Sequence, residues 1–348
     1  MANKGGEPAA RAAVRHGGGP VAFKDAVDVD ATPVRPPTEL AAAVSALPAG
    51  VSYGQPMRCY GGTWVFESWA QGVVAMHRGG LVPRAGDVLL ASLPKSGTTW
   101  LKALAFATMA RRACPPPASP DHPLRRLNPH DCVPLLDRLF AAGRDALLDE
   151  LPSPRLMCTH MPLSLLPPAV ADGNSNTKII YICRDQKDRL VSIWHFRKRN
   201  VPDLLLQEVY ESICDGTGFA GPVWDHLLGY WRASKIDLGR VLFLKYEEVL
   251  RDPVNTVREL AQFVGQPFSD TEEEAGIVAE IVKLCSLESL RSQKANKEGI
   301  QGVYIKFSHD SYFRKGVEGD WRNHMTPKMG EHLDSIMREK FDGSGLTI

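Results

Sequence analysis

The segment Val88-Leu89-Leu90-Ala91-Ser92-Leu93-Pro94-Lys95-Ser96-Gly97-Thr98-Thr99-Trp100-Leu101-Lys102 constrains this chain more than any other. An apolar run, a short polar turn and then a helical pattern read as a strand passing through a tight loop into a helix. Such a loop gathers the unpaired N–H groups of a helix start, the hydroxyls of Thr98 and Thr99 and the Lys95 ammonium around one point, which suits a phosphate. The nucleotide-binding pattern G-x-x-x-x-G-K-[ST] is approached but not met: Lys95 precedes the glycine, and no glycine opens the loop. Trp100 follows at once, within reach of a base or ring. For the segment taken alone, an ordinary strand-to-helix turn with a surface lysine is the alternative.

The chain has 348 residues, 44% of them hydrophobic, enough for a sizeable core. Its 41 basic and 40 acidic residues nearly cancel. Charge for an anionic ligand must therefore be concentrated in a pocket, and nucleic acid is not an expected partner. The seven cysteines are scattered, without a C-x-x-C pair, so neither a disulfide framework nor a zinc knuckle is expected. Cys183 and Cys285 sit among apolar neighbours and read as small buried hydrophobes, in keeping with a reducing compartment. No apolar run reaches the roughly 18 residues of a membrane span. Residues 1–37, rich in Ala, Gly and Pro, are expected as a disordered tail, and 38–348 as a single domain. A cytoplasmic location is expected.

Strands are expected at Val88–Ser92, Arg155–Thr159, Lys178–Cys183 and Val241–Lys245. Helices are expected at Thr38–Leu47, Phe66–Val73, Trp100–Arg112, Leu190–Lys198, Trp224–Ile236, Pro253–Val264 and Glu272–Leu284. The alternation predicts an α/β fold, a central, mainly parallel sheet flanked by helices. Met57–Val65 reads as an aromatic turn without clear role. The proline-rich stretch Cys114–Pro134 reads as irregular, a lid or a plain surface loop.

Ligands gather at the C-terminal ends of strands in such sheets. Three segments lie there: Lys95–Trp100; Cys158-Thr159-His160-Met161-Pro162; and Arg184 with Ser192 in the helix beyond it. His160 could titrate into a crevice or simply cap a strand. Arg184 and Ser192 could converge on one anion, or Arg184 could pair with Asp185 or Asp188. A fourth segment, Phe313-Arg314-Lys315-Gly316, offers an arginine fork, an ammonium and a glycine to a phosphate monoester, or is a charged turn. No metal-binding spacing is present. His195, flanked in the sequence by Trp194 and Phe196, is expected to be a packing residue.

Several motifs then carry a resemblance. P-K-S-G-T-T-W-L-K at Pro94–Lys102, T-H-M-P at Thr159–Pro162 and Y-I-C-R-D-Q-K-D-R-L-V-S-I-W-H-F at Tyr181–Phe196 occur in order. F-L-K-Y-E-E-V-L-R-D-P at Phe243–Pro253, L-C-S-L-E-S-L at Leu284–Leu290 and F-R-K-G-V-E-G-D-W-R-N at Phe313–Asn323 follow. The set resembles the cytosolic sulfotransferases, most closely the plant soluble ones. The resemblance implies a P-loop-like sulfotransferase fold, with 3′-phosphoadenosine 5′-phosphosulfate (PAPS) as donor and adenosine 3′,5′-bisphosphate (PAP) as product, without a metal. It implies a 5′-phosphosulfate loop at Lys95, Ser96, Gly97, Thr98 and Thr99, and adenine contacts from Trp100, Tyr246 and Leu287. A 3′-phosphate site is implied at Arg184, Ser192, Arg314, Lys315 and Gly316, with Cys285 and Ser286 also near the nucleotide. His160 becomes the general base, Lys95 the group that stabilises the leaving oxygen, and Ser192 a restraint on Lys95.

Three positions depart from the family pattern: Asp185 and Gln186 where Asn-Pro is usual, and Leu287 where Phe is frequent. The acceptor is expected to be a small hydroxylated molecule, first a phenolic such as a flavonoid. A hydroxylated terpenoid or lipid-derived hormone (brassinosteroid, hydroxyjasmonate, strigolactone precursor) comes next. Its pocket is expected from Cys114–Pro134, Arg199–Phe219 and Glu298–Tyr312, with Phe219, Tyr304, Phe307 and Tyr312 as walls and Lys306 as the cation for a charged acceptor. A monomer or weak homodimer is expected. The rival readings are a kinase with a variant loop and a catalytically silent nucleotide-binding protein.

Overall fold

A computed structural model of the chain describes residues 18–28, 32, 34, 40–116, 119–302 and 305–348. Most of the expected tail, the first residues of the helix expected from Thr38, and Tyr304 lie outside those residues. The part of the tail segment that is described packs: Ala22 is buried, Phe23–Ala26 is a helical turn, and Asp25 pairs with Arg126.

Four parallel strands form the central sheet: β4 (Val88–Ala91), β5 (Leu156–Thr159), β6 (Lys178–Cys183) and β7 (Val241–Lys245), in the order β5-β4-β6-β7. The continuous apolar sequences of β4, β5 and β6 match burial on both faces, while β7 at the sheet edge is only half-buried at Leu242, Phe243 and Lys245. The chain leaves β4 for β5 on one side and returns to β6 on the other. A crevice therefore opens at the C-terminal end of β4, where the Lys95 loop begins. The helix Thr98–Ala110 that follows is buried on nearly every side, not only along its expected apolar face.

The aromatic turn around Tyr60 is instead part of an antiparallel sheet, β1 (Ala49–Ser52), β2 (Gln55–Tyr60) and β3 (Thr63–Phe66). Pro56 and the absence of a clean polar–apolar alternation hide these strands in the sequence. Cys114–Pro134 is not wholly irregular: His122 and Asn128 cap two helical turns, Pro123–Arg126 and Pro129–Cys132, each opened by its proline. The helix expected from Leu190 begins at Gln186, because the Asp185 carboxylate accepts the N–H groups of Lys187 and Asp188. The helix expected over Glu272–Leu284 is two, Asp270–Glu274 and Ile277–Leu284, parted by Gly276 at φ +68°.

Candidate active site

Between β4 and its helix the loop turns tightly, with Lys95 at φ +70° and Gly97 at φ +100°. A lysine in the left-handed region is uncommon and strained. At Gly97 a Cβ would stand 2.6 Å from the Tyr246 ring, so both conformation and space require glycine. The Thr98 hydroxyl is held to that of Ser92 at 2.7 Å, which ties the helix start to the strand end.

One cavity is lined by Lys95, Gly97, Thr98, Thr99 and Trp100, and by Arg184, Ser192 and Tyr246. Cys285, Leu287, Arg314, Lys315 and Gly316 line it as well, as does His160. Six segments distant in sequence thus meet in one space. Ser96 and Ser286 do not line it. Ser96 is buried with an unpartnered hydroxyl, and Ser286 caps the helix Leu287–Ser292. Trp100 meets Tyr246 edge-on, with ring centroids 5.8 Å apart.

The Arg184 guanidinium lies 4.6 Å from the Tyr246 ring centre and donates to the Val317 carbonyl at 2.9 Å, while its buried Nε has no partner. Asp188, 3.9 Å from it, is engaged elsewhere: its carboxylate accepts the N–H groups of Gly319 and Trp321 at 2.6 and 2.9 Å. That clasp carries the segment of Arg314 and Lys315 to the crevice. Both cations pair with Asp320. Burial alone would raise the Asp320 carboxyl, but hydrogen bonds from Lys315, Arg314 and Asn323 hold it well below the usual carboxylate range. Gln186 bonds the Arg184 carbonyl at 2.6 Å and accepts from Arg189 at 2.6 Å. With Asp185 as cap, both departures from the family pattern are therefore integrated into the turn.

Lys95 and His160 both face the crevice. Burial, then the charges of Arg184, Arg314 and Arg199, lowers the Lys95 ammonium to about 7. It sits 4.2 Å from the centre of the Phe196 ring and makes no hydrogen bond to Ser192, one helical turn back. The π face accepts the cation there. His160 Nδ1 lies 2.8 Å from the Ser92 carbonyl oxygen. A carbonyl only accepts, so Nδ1 carries the proton and Nε2 is the basic nitrogen. Burial lowers the imidazole to about 4, which keeps it neutral near pH 7.

Sequence reasoning missed the groups behind these. Buried Asp137 accepts from the Thr159 hydroxyl at 2.6 Å and the His160 N–H at 2.7 Å. His130, buried beside Tyr312, bonds Thr99 at 3.0 Å and Lys102 at 3.2 Å. The N-P-H run at 128–130 was a visible signal, but its partners lie about 30 residues away. His195 packs on Trp194 and His324 as expected.

The remaining wall is aromatic and apolar. Phe66 and Phe219 stack with centroids 4.4 Å apart, Phe196 and Phe307 at 4.1 Å, and Trp69 closes edge-on against Phe219. Lys306 is exposed and does not line the cavity, whereas Arg138 and Arg197 do. Among the described residues no His, Cys, Asp and Glu cluster could hold a metal ion, and no helix is long and apolar enough to cross a membrane.

Comparison with known proteins gives consistent matches. The sulfotransferase domain family matches residues 85–345. Cytosolic sulfotransferase 1 of Arabidopsis thaliana is 40% identical over 311 residues, 87% of this chain and 92% of that protein. Flavonol 3-sulfotransferase of Flaveria bidentis is 42% identical over 268 residues, 75% of this chain and 84% of that protein. A crystal structure of an Arabidopsis thaliana protein described provisionally as a steroid sulphotransferase superposes with a TM-score of 0.70 at 35% identity, covering 88% of this chain and 94% of that one.

Proposed function

The chain belongs to the sulfotransferase family, among its plant-type cytosolic members that use PAPS on small hydroxylated metabolites, and we propose the following division of labour. His160 is the general base. Its Nε2 takes the acceptor hydroxyl proton as that oxygen closes on sulfur, and the fixed Nδ1–H keeps the lone pair available. Lys95 neutralises charge growing on the oxygen that leaves with the nucleotide. The N–H groups of Gly97 to Trp100 and the hydroxyls of Thr98 and Thr99 hold the 5′-phosphate. Arg184, Ser192, Arg314, Lys315 and the backbone at Gly316 take the 3′-phosphate. Trp100, Tyr246 and Leu287 border the adenine. The Lys95 ammonium leaves the Phe196 face for the donor, with Ser192 restraining it. One domain carries these groups.

The single observation behind this reading is one cavity lined together by the Lys95 loop, by Arg184, Arg314 and Lys315, by a neutral, oriented histidine and by aromatic rings. The aromatic walls favour a flat hydroxylated acceptor, first a phenolic, in line with the flavonol enzyme among its relatives. An acceptor screen with isotopically labelled donor, read by mass spectrometry, tests it. Sulfated phenols are the expected products. Turnover of aliphatic alcohols alone removes the phenolic preference, and no sulfated product from any acceptor removes the catalytic reading.

A further inference from the structure

Of the buried arginines outside this cavity, Arg155 and Arg111 have carboxylates of their own, while Arg189 is held by the Gln186 amide. Arg155 meets Asp87 through two hydrogen bonds of 3.0 and 2.6 Å, and Arg111 meets Glu272 at 2.8 Å. Arg138 and Arg197, both lining the active-site cavity, pair with no carboxylate among the described residues. Arg138 is held by the neutral amide of Gln301, whose oxygen accepts from both terminal nitrogens at 3.2 and 3.0 Å once the amide is oriented to satisfy both groups. Arg197 is surrounded by rings: its guanidinium lies 4.5 Å from the centre of Phe66, 5.7 Å from Phe307 and 5.8 Å from Tyr53. Asp131, the acid whose charge Arg138 feels, reaches Lys24 at 3.7 Å instead.

Gln301, which holds Arg138, is paired across a short antiparallel ribbon with Phe307, against which Arg197 lies, so the two guanidinia meet the same ribbon in one cavity. Burial brings Arg197 down to about 10, which leaves it a cation at neutral pH. Both arginines are half-buried, and a guanidinium partly withdrawn from water with no carboxylate beside it suits a planar anion with two oxygens.

Resting on the sulfotransferase reading above, we propose that the acceptor is a hydroxylated carboxylate. Its hydroxyl lies at His160, and its carboxylate is received by Arg197 with Arg138. The reaction balances without the carboxylate changing. The hydroxyl oxygen forms the new O–S bond as the phosphosulfate O–S bond breaks, His160 Nε2 takes the proton, and the nucleotide leaves with the electron pair. The carboxylate serves to orient.

Acid and primary-amide pairs of similar shape test this on the unmodified enzyme, for instance 4-hydroxycinnamate with 4-hydroxycinnamamide and 12-hydroxydodecanoate with its amide. The acid of at least one pair is expected to exceed its amide in kcat/KM by about tenfold or more. Arg197→Gln and Arg138→Gln are expected to bring that ratio toward one while PAP affinity stays as in the wild type, and Arg197→Lys to retain part of the preference. Should a glutamine variant fail to fold, the wild-type ratio and the lysine variant still decide. Amides used as well as acids, or neutral phenols sulfated while the acids are ignored, overturn the proposal and leave the sulfotransferase reading intact. Loss of PAP affinity in Arg138→Gln equal to its loss of acid preference overturns the assignment of Arg138 to the acceptor. No sulfated product from any acceptor defeats the parent reading instead.

Discussion

The Asp137 carboxylate accepts the backbone N–H of His160 at 2.7 Å, and its other oxygen accepts the Thr159 hydroxyl at 2.6 Å. A residue on a separate helix therefore fixes the strand end that presents the proposed base. Burial raises the carboxyl to about 6, against the opposing pull of those hydrogen bonds. Asp137→Ala is expected to lower kcat by about tenfold or more through loss of alignment, with PAP affinity unchanged. Parallel turnover kinetics and calorimetry check this. An equal loss in nucleotide affinity would show that Asp137 supports the phosphate loop instead.

His160→Ala is expected to cost roughly 10²-fold or more in turnover while PAP binds nearly as before, because the base acts on the acceptor and not on the phosphates. In the wild type the acid limb of activity is expected near pH 4, since burial holds the imidazole at about 4 and activity rises as it becomes neutral. A limb near the ordinary histidine value would point to a different titrating group.

Lys95 sets the alkaline side. Its ammonium sits at about 7, and an anionic nucleotide favours the charged form. kcat/KM for the donor is expected to fall as pH rises through about 7, because the free enzyme loses the charge that the phosphosulfate meets. Binding of PAP about one pH unit above that value should then take up close to one proton, read from calorimetric heats in two buffers. Lys95→Met should abolish the uptake. Equal heats in the two buffers for the wild type would contradict this account.

Arg314→Ala is expected to weaken PAP by about 1.5–3 kcal/mol more than it weakens the analogue without the 3′-phosphate. Arg314 and Lys315 share the Asp320 carboxylate, so the loss belongs at the lower end if Lys315 compensates. Equal losses for both nucleotides would place Arg314 away from that phosphate.

What could be read from the sequence followed the range of the forces involved. Lys178–Cys183 and Val241–Lys245 were legible to the residue, because both are written as continuous apolar runs, the first of them covered on both faces. The strands around Tyr60 were not, since their pairing is decided by contacts that no local period records. The start of the helix at Gln186 was available in the capping residue Asp185, and the final helix Pro327–Lys340 in Thr326 followed by proline, yet neither was used. Lys95, His160 and Arg184 stood out because each follows a strand. Asp137, His130, Arg138 and Arg197 did not, because only the closed fold brings their separate helices to the crevice. Lys306 was singled out as a cation by composition alone, and its side chain lies outside the cavity.

The chain Lys102–His130–Thr99 fixes proton positions in a way that substitution can read. The buried Lys102 ammonium donates to the Val133 carbonyl at 2.9 Å and can only donate to His130 Nδ1 at 3.2 Å. Nδ1 is then the acceptor, Nε2 carries the proton, and that proton points to the Thr99 hydroxyl oxygen at 3.0 Å. The Thr99 hydrogen is left to aim into the cavity, toward the phosphosulfate that the loop is proposed to hold. Burial first, then the charge of Lys102, keeps His130 neutral. Lys102→Met removes the donor that selects this tautomer. The His130 ring is then free to turn its bare nitrogen to Thr99 and draw the hydroxyl hydrogen away from the donor. The expected outcome is a loss of about tenfold in donor kcat/KM, accompanied by a change in the ¹⁵N shifts of His130 from the Nε2–H pattern. Unchanged shifts with reduced activity would make Lys102 a packing residue, and unchanged activity with altered shifts would remove Thr99 as a donor to the phosphosulfate.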